Sequence, residues 1–161
     1  MTGERSLHIE IPGWRRLDLR ACALDLNGTI AEDGRLIAGA GERIQALRAH
    51  LDVYLLTADT RGAAAGVAAQ IGATLHVLSA GDEAEEKAAF VRQLGAEGVV
   101  AVGNGSNDRL MLAEAALGIA VLGREGLALS ALQAAALVAP HIRDALDLLL
   151  QPARLIATLR R

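Results

Sequence analysis

Large rings and cysteines are scarce in this sequence. Aromatic residues make up 2% of the 161, although 52% are hydrophobic. Trp14, Tyr54 and Phe90 are too few to build a base-stacking platform. The core must therefore be filled by Ala, Leu and Val, which implies close helix–sheet packing. A single cysteine, Cys22, excludes an intramolecular disulfide, and its apolar setting, ACALDL, reads as a small core position. No run of 18 apolar residues is present, so no transmembrane helix is expected. The opening segment MTGERSLHIE lacks the apolar stretch of a signal peptide. A net charge of -3 offers no basic excess for nucleic acid. These absences predict a cytoplasmic protein with neither a membrane nor a nucleic-acid partner. The four histidines lie far apart without metal-ligand spacing and receive no role.

What is present is an alternation of short apolar runs with longer helical patterns, which argues for a parallel sheet with crossover helices. Strands are expected at 21–26, 53–56, 74–78, 98–102 and 117–121, with a short one near 136–138. Helices are expected at about 41–49, 61–71, 83–94, 107–115, 125–134, 142–150 and 153–159, the last two separated by Pro152. Asp82 reads as the N-cap of the third helix, with Glu85 and Glu86 in its first turn. Asp33-Gly34 reads as a tight turn between Ile30-Ala31 and Leu36-Ile37. Leu7–Ile11 and Arg16–Leu19 flank Pro12-Gly13 and predict a hairpin at the edge of the sheet. No repeat or linker interrupts the pattern, so residues 1–161 are read as one domain.

Ligands of open parallel sheets bind beyond the carboxyl ends of the strands. Reading those ends alone collects Asp25-Leu26-Asn27-Gly28-Thr29, Thr57-Ala58-Asp59 and Gly103-Asn104-Gly105-Ser106-Asn107-Asp108. Lys87 lies on the helix leading into the third of these. A carboxylate such as Asp25 can attack phosphorus to form an acyl phosphate. The attack brings two anions together, and Mg²⁺ with carboxylate, carbonyl and water ligands can shield them. Thr57 can donate to a phosphoryl oxygen, and Lys87 can place positive charge on the transferring group. Gly28, Gly103 and Gly105 let backbone come close and turn tightly.

These pieces resemble the motifs of the haloacid dehalogenase superfamily. D-L-N-G-T is similar to its first motif, usually D-x-D-G-T, and L-L-T at 55–57 to its second. Lys87 matches the third in position, and G-N-G-S-N-D is similar to the fourth, usually G-D-G-x-N-D. Within that superfamily the fourth motif also resembles the phosphorylation domain of P-type cation pumps and of small soluble proteins named after them. The resemblance spans about residues 21–122. It implies a three-layer, Rossmann-like α/β fold. It also implies Asp25 as nucleophile and metal ligand, and a Mg²⁺ ion held by Asp25, the backbone carbonyl of Asn27, Asn104 and Asp108. Thr57 and Lys87 would hold the phosphoryl group, with Gly28 and Ala58 lining its cradle.

Two departures follow from the comparison with those motifs. Asn27 stands where phosphatases of this kind carry an Asp that protonates the leaving group and later activates water, and an amide does neither. Asn104 keeps an oxygen for the metal but carries no charge. Slow turnover or a persistent phospho-Asp25 is the expectation. A regulatory module that binds phosphate or metal without turnover is the alternative, and a pure scaffold the third reading. The spans 29–53 and 58–87 leave no room for an inserted cap domain. An open site suits a phosphorylated small molecule or macromolecule, and a homo-oligomer could cover it.

Overall fold

The structure is a computed structural model that describes residues 4–59, 62–79 and 81–161. The chain begins with an antiparallel hairpin, β1 (Leu7–Ile11) and β2 (Arg15–Leu19), in which Ile9 faces Leu17. The expected hairpin is therefore present. It is a two-stranded ladder of its own, and it leads into the amino end of β3 (Ala21–Asp25), where Arg20 N–H donates to the Gly98 carbonyl.

After β3 come the small hairpin β4 (Ala31–Glu32) and β5 (Arg35–Leu36), then α1 (Ala40–Leu47), β6 (Asp52–Thr57), α2 (Ala63–Ile71) and β7 (Thr74–Val77). The chain continues through α3 (Glu83–Leu94), β8 (Val99–Gly103), α4 (Arg109–Glu114), β9 (Leu117–Val121), α5 (Leu129–Ala134) and β10 (Leu137–Ala139). It closes with α6 (Ile142–Leu150) and α7 (Pro152–Leu159). The sequence-based start of the second helix, Arg61, lies outside the described residues.

Six strands form one parallel sheet in the order β10-β9-β8-β3-β6-β7. Every residue of β3, β8 and β9 is buried, as expected for strands covered by helices on both faces. Alternation along β3 divides the core. Cys22 and Leu24 point to the layer that holds α1, α2, α6 and α7, together with Ile9 and Leu17 of the N-terminal hairpin. Ala21 and Ala23 point to the opposite layer of α3, α4 and α5, packed through Val91, Met111 and Ala131. The three-layer α/β arrangement is the one expected from the sequence.

Sheet order positions the site. From β3 the chain steps outward to β6 and β7, then returns to place β8 on the other side of β3 before stepping away to β9 and β10. The direction of winding thus reverses between β3 and β8. Loops leaving these two strands part in opposite directions and open a crevice at their carboxyl ends.

Local chemistry explains most boundaries. Asp33 and Gly34 both have positive φ, 49° and 77°, the pair of left-handed residues that a two-residue hairpin requires. The Asp82 carboxylate accepts from Glu85 N–H at 3.2 Å and caps α3. Pro152 opens α7, because its missing N–H is not needed in a first turn. Helix α5 is shorter than the sequence pattern suggested. It begins at Leu129, and residues 123–128 form a loop held by tertiary bonds: Ala128 N–H donates to the Asn104 carbonyl, and Asn104 Nδ2 to the Gly126 carbonyl.

Candidate active site

Asp25 ends β3 level with Leu56 on β6, so Thr57 stands one residue beyond it on the adjacent strand. On the other side Leu24 pairs with Val102, which brings Gly103 and the following loop alongside Asp25. The three carboxyl ends singled out in the sequence therefore meet at the switch point. They line a cleft of about 780 Å³ with Asp25, Asn27, Thr57, Ala58, Lys87 and Asn104 in its walls.

Lys87 organises the floor. It reaches from α3 with 1% of its surface exposed, and its Nζ lies 2.7 Å from Asp25 Oδ1 and 2.7 Å from Asp108 Oδ1. Burying a lysine this deeply is costly unless it is paired, and here two carboxylates flank one ammonium. Burial alone would lower the Lys87 pKa; Asp25 and Asp108 outweigh it and hold the group above its ordinary value. Asp25 is pushed up to about 7. Burial is the main cause and repulsion from Asp108 the next, while Lys87 and the Thr29 hydroxyl pull the other way.

Asp108 is fully buried. Its Oδ2 accepts from Asn104 N–H at 3.0 Å and Gly105 N–H at 2.9 Å, which pins the loop after β8. These bonds explain why the segment at 106–108 is a tight 3-10 turn before α4 begins. A Cβ at Gly103 would sit 2.5 Å from Asp108 Cγ, so only glycine lets this carboxylate fold back on the strand end.

Thr29, whose hydroxyl the sequence reading left without a role, is wholly buried between two site residues. Its Oγ1 lies 3.2 Å from Asp25 Oδ2 and 3.1 Å from Asn104 Oδ1. One hydroxyl proton serves one of these oxygens at a time, so Thr29 marks where the two converge. Thr57 Oγ1 accepts from Asp59 N–H at 3.1 Å and lies at the cleft wall, and Asp59 in turn accepts from Ala64 N–H at the start of α2. Gly28 has φ 76°, and a Cβ there would lie 2.5 Å from Asn104 Nδ2 and 2.7 Å from Glu125 Oε2. Glu125, Asp33, Glu83 and Asn107 also line the cleft. Sequence reading missed Glu125 because the pattern placed it inside a helix.

The oxygens present suit a hard cation. Asp25 Oδ2 and Asn104 Oδ1 converge on one point, and the Asn27 residue lines the same cleft, a donor set of carboxylate and carbonyl type. Among the described residues no group of three or more His, Cys, Asp or Glu could hold a metal. That follows from the amides at positions 27 and 104, which leave fewer charges than four carboxylates would. Asp108 accepts three hydrogen bonds, from Lys87 and from the backbone of Asn104 and Gly105, and so organises both the loop and the lysine.

Comparison with known proteins agrees with this fold. The profile of the haloacid dehalogenase-like hydrolases matches residues 3–116. An uncharacterised protein of Methanocaldococcus jannaschii is 48% identical over 62 residues, 38% of this chain and 67% of that one. The structure is similar to that of an HAD-family hydrolase from Streptomyces avermitilis, with TM-score 0.66 and 25% identity, covering 84% of this chain and 87% of the other. It shares its fold with the 3-deoxy-D-manno-octulosonate 8-phosphate phosphatase of Moraxella catarrhalis, solved with magnesium and phosphate ions. There the TM-score is 0.69 at 18% identity, over 88% of this chain and 94% of that one.

Proposed function

The chain belongs to the haloacid dehalogenase-like hydrolase family, and from that premise we propose that it is a Mg²⁺-dependent phosphatase acting through Asp25. The observation that carries this reading is the buried Lys87 bridging Asp25 and Asp108 at the floor of a cleft that Thr57 and Asn104 also line. The arrangement aims a fixed carboxylate outward and keeps a cation behind it.

In the proposed reaction Lys87 holds the Asp25 carboxylate in place, and one of its oxygens attacks phosphorus. The Asp25 O–P bond forms as the bond from phosphorus to the leaving oxygen breaks, and that oxygen takes its proton from solvent. Water then adds to phosphorus and gives up its proton to solvent, the Asp25 O–P bond breaks to restore the carboxylate, and phosphate leaves. Thr57 Oγ1 and the backbone around Gly28 and Ala58 orient the phosphoryl oxygens, and the third proton of Lys87 is free to meet one of them. Mg²⁺, held by Asp25, the Asn27 carbonyl and Asn104, would supply the positive charge that shields the two anions as they approach. Asn27 has no proton to give and no basic oxygen to accept one. Both halves of the reaction thus lack acid–base help worth about 10²–10⁴ in rate. Good leaving groups, as in acyl or aryl phosphates, should react best, and phospho-Asp25 should persist.

The cleft lies between the β4–β5 hairpin and the start of α2, and among the described residues no inserted domain covers it. It would accept a phosphorylated small molecule or a phosphate on a macromolecule. The amides at positions 27 and 104 favour one second reading, a module that binds phosphate and metal without turnover.

The test is incubation of the protein with acetyl phosphate or p-nitrophenyl phosphate, with and without Mg²⁺, followed by quenching and intact-mass measurement. A Mg²⁺-dependent phosphate adduct that is absent from Asp25→Asn is expected. Absence of both adduct and turnover in folded protein would remove the enzymatic reading and favour the binding module.

A further inference from the structure

Beside the candidate active site lies a second cleft, of about 950 Å³, whose chemistry is different. Arg35, Arg124 and Arg143 line it together with His141, facing only two acidic residues, Glu32 and Asp33. Arg124 pairs with Glu32 at a loose 3.9 Å, and among the described residues Arg35 and Arg143 form no ion pair. The stem of Arg143 runs beside Gly39, where an added Cβ would lie 2.8 Å from Arg143 Cδ. Helix α6 also opens into this cleft at His141, and no side chain caps its first turn.

The two clefts are neighbours. Asp33, at the tip of the β4–β5 hairpin, lines both. A small cavity of about 40 Å³ adjoins the second cleft, lined by Gly28 and Thr29 of the loop after β3 as well as by His141 and Arg143. Gly123 closes the seam: a Cβ there would come 3.3 Å from the Gly28 carbonyl. A molecule with its phosphate over Asp25 can therefore extend past the hairpin tip to the arginines.

We propose that this basic cleft binds a second anionic group of the substrate, a carboxylate or another phosphate remote from the one transferred. The inference rests on the phosphatase reading for the identity of the first group. Planar guanidinium groups pair with either oxyanion through two hydrogen bonds, and unpaired arginines at a cleft mouth are free to do so. The substrate class is then a phosphate ester carrying a further negative charge, and a neutral alkyl or aryl phosphate lacks half of the recognition.

The experiment measures binding by calorimetry in Mg²⁺ for three six-carbon probes: sorbitol 6-phosphate, 6-phosphogluconate and a hexitol 1,6-bisphosphate. At least one of the two anionic probes should bind about tenfold tighter than sorbitol 6-phosphate, the worth of one charge-assisted pair. Whichever is favoured identifies carboxylate or phosphate as the second group. In the Arg35→Gln/Arg143→Gln variant that preference should fall below about twofold, while adduct formation from acetyl phosphate stays unchanged. Equal binding of all three probes to the unaltered protein, or a preference that survives in the variant, overturns the proposal. Failure of acetyl phosphate to label Asp25 bears instead on the phosphatase reading, because acetyl phosphate has no second anionic group.

Discussion

Replacing Asp25 with Asn should make the metal-free protein more stable at alkaline pH, although it removes the proposed nucleophile. Three charges meet in the buried site: two carboxylates and one ammonium, a net negative charge with little solvent to screen it. The folded site accordingly raises the Asp25 pKa from 3.8 to about 7. Between those two values the folded chain holds a proton that the unfolded chain has released. Stability supplied by the neutral carboxyl is then complete below the lower value and lost as pH rises through the upper one. At about 1.4 kcal/mol per pK unit the loss by pH 8 is roughly 4 kcal/mol. The amide that Asp25→Asn introduces is neutral throughout, so the variant escapes this loss. Mismatched hydrogen bonding of its NH₂ group returns about 1–2 kcal/mol. The expected outcome of urea unfolding in chelator is a variant about 2–3 kcal/mol more stable near pH 8, with the advantage gone near pH 4. Mg²⁺ added at the higher pH should raise the melting temperature of the unaltered protein and leave the variant unmoved. A variant less stable at every pH, or a difference independent of pH, would refute the electrostatic account of the site.

Other changes probe the same geometry. Asn27→Asp should shorten the lifetime of the phosphate adduct and raise steady turnover by about 10²-fold or more, read by quenched intact-mass and phosphate release. Lys87→Met leaves Asp25 and Asp108 facing each other uncompensated. It should cost about 3–5 kcal/mol above neutral pH in denaturant unfolding, and considerably less in acid, where Asp25 is protonated. Gly28→Ala forces a Cβ against Asn104 Nδ2 and Glu125 Oε2 at a backbone φ of 76°, and should lower stability by about 1–3 kcal/mol and weaken Mg²⁺ binding in calorimetry.

Much of this protein is decided locally, and those parts are legible in one dimension. The run at 117–121 is a strand in the structure with the same bounds, because a short, wholly apolar run between two helical patterns suits a buried strand. Asp82 caps α3, and Asp33-Gly34 turns a hairpin, each for reasons contained within four residues. The polar loops after β3, β6 and β8 declare themselves as strand ends, and the rule that parallel sheets bind ligands at such ends was enough to choose Asp25, Thr57, Asn104 and Asp108 for one site.

Tertiary structure alone decided how those ends are arranged. The order β8-β3-β6, which sets Asp25 between the other two loops, is a matter of non-local pairing that no periodicity encodes. Lys87 sits in a run of charged residues, Glu83 to Lys87, that reads as a solvated helix face; only the packing of α3 beside β3 buries it between two carboxylates. Glu125 belongs to an Ala- and Leu-rich stretch with helical pattern. Bonds from the Asn104 loop hold residues 123–128 out of the helix and bring this carboxylate to the cleft. Arg35 lies far along the chain from Arg124 and Arg143, and the fold brings the β4–β5 hairpin and the carboxyl ends of β9 and β10 to one surface. Spacing and composition record what a residue can do with its neighbours in the chain. Which distant groups it meets in a low-dielectric interior, and hence its charge state and partners, depends on how the sheet is wound.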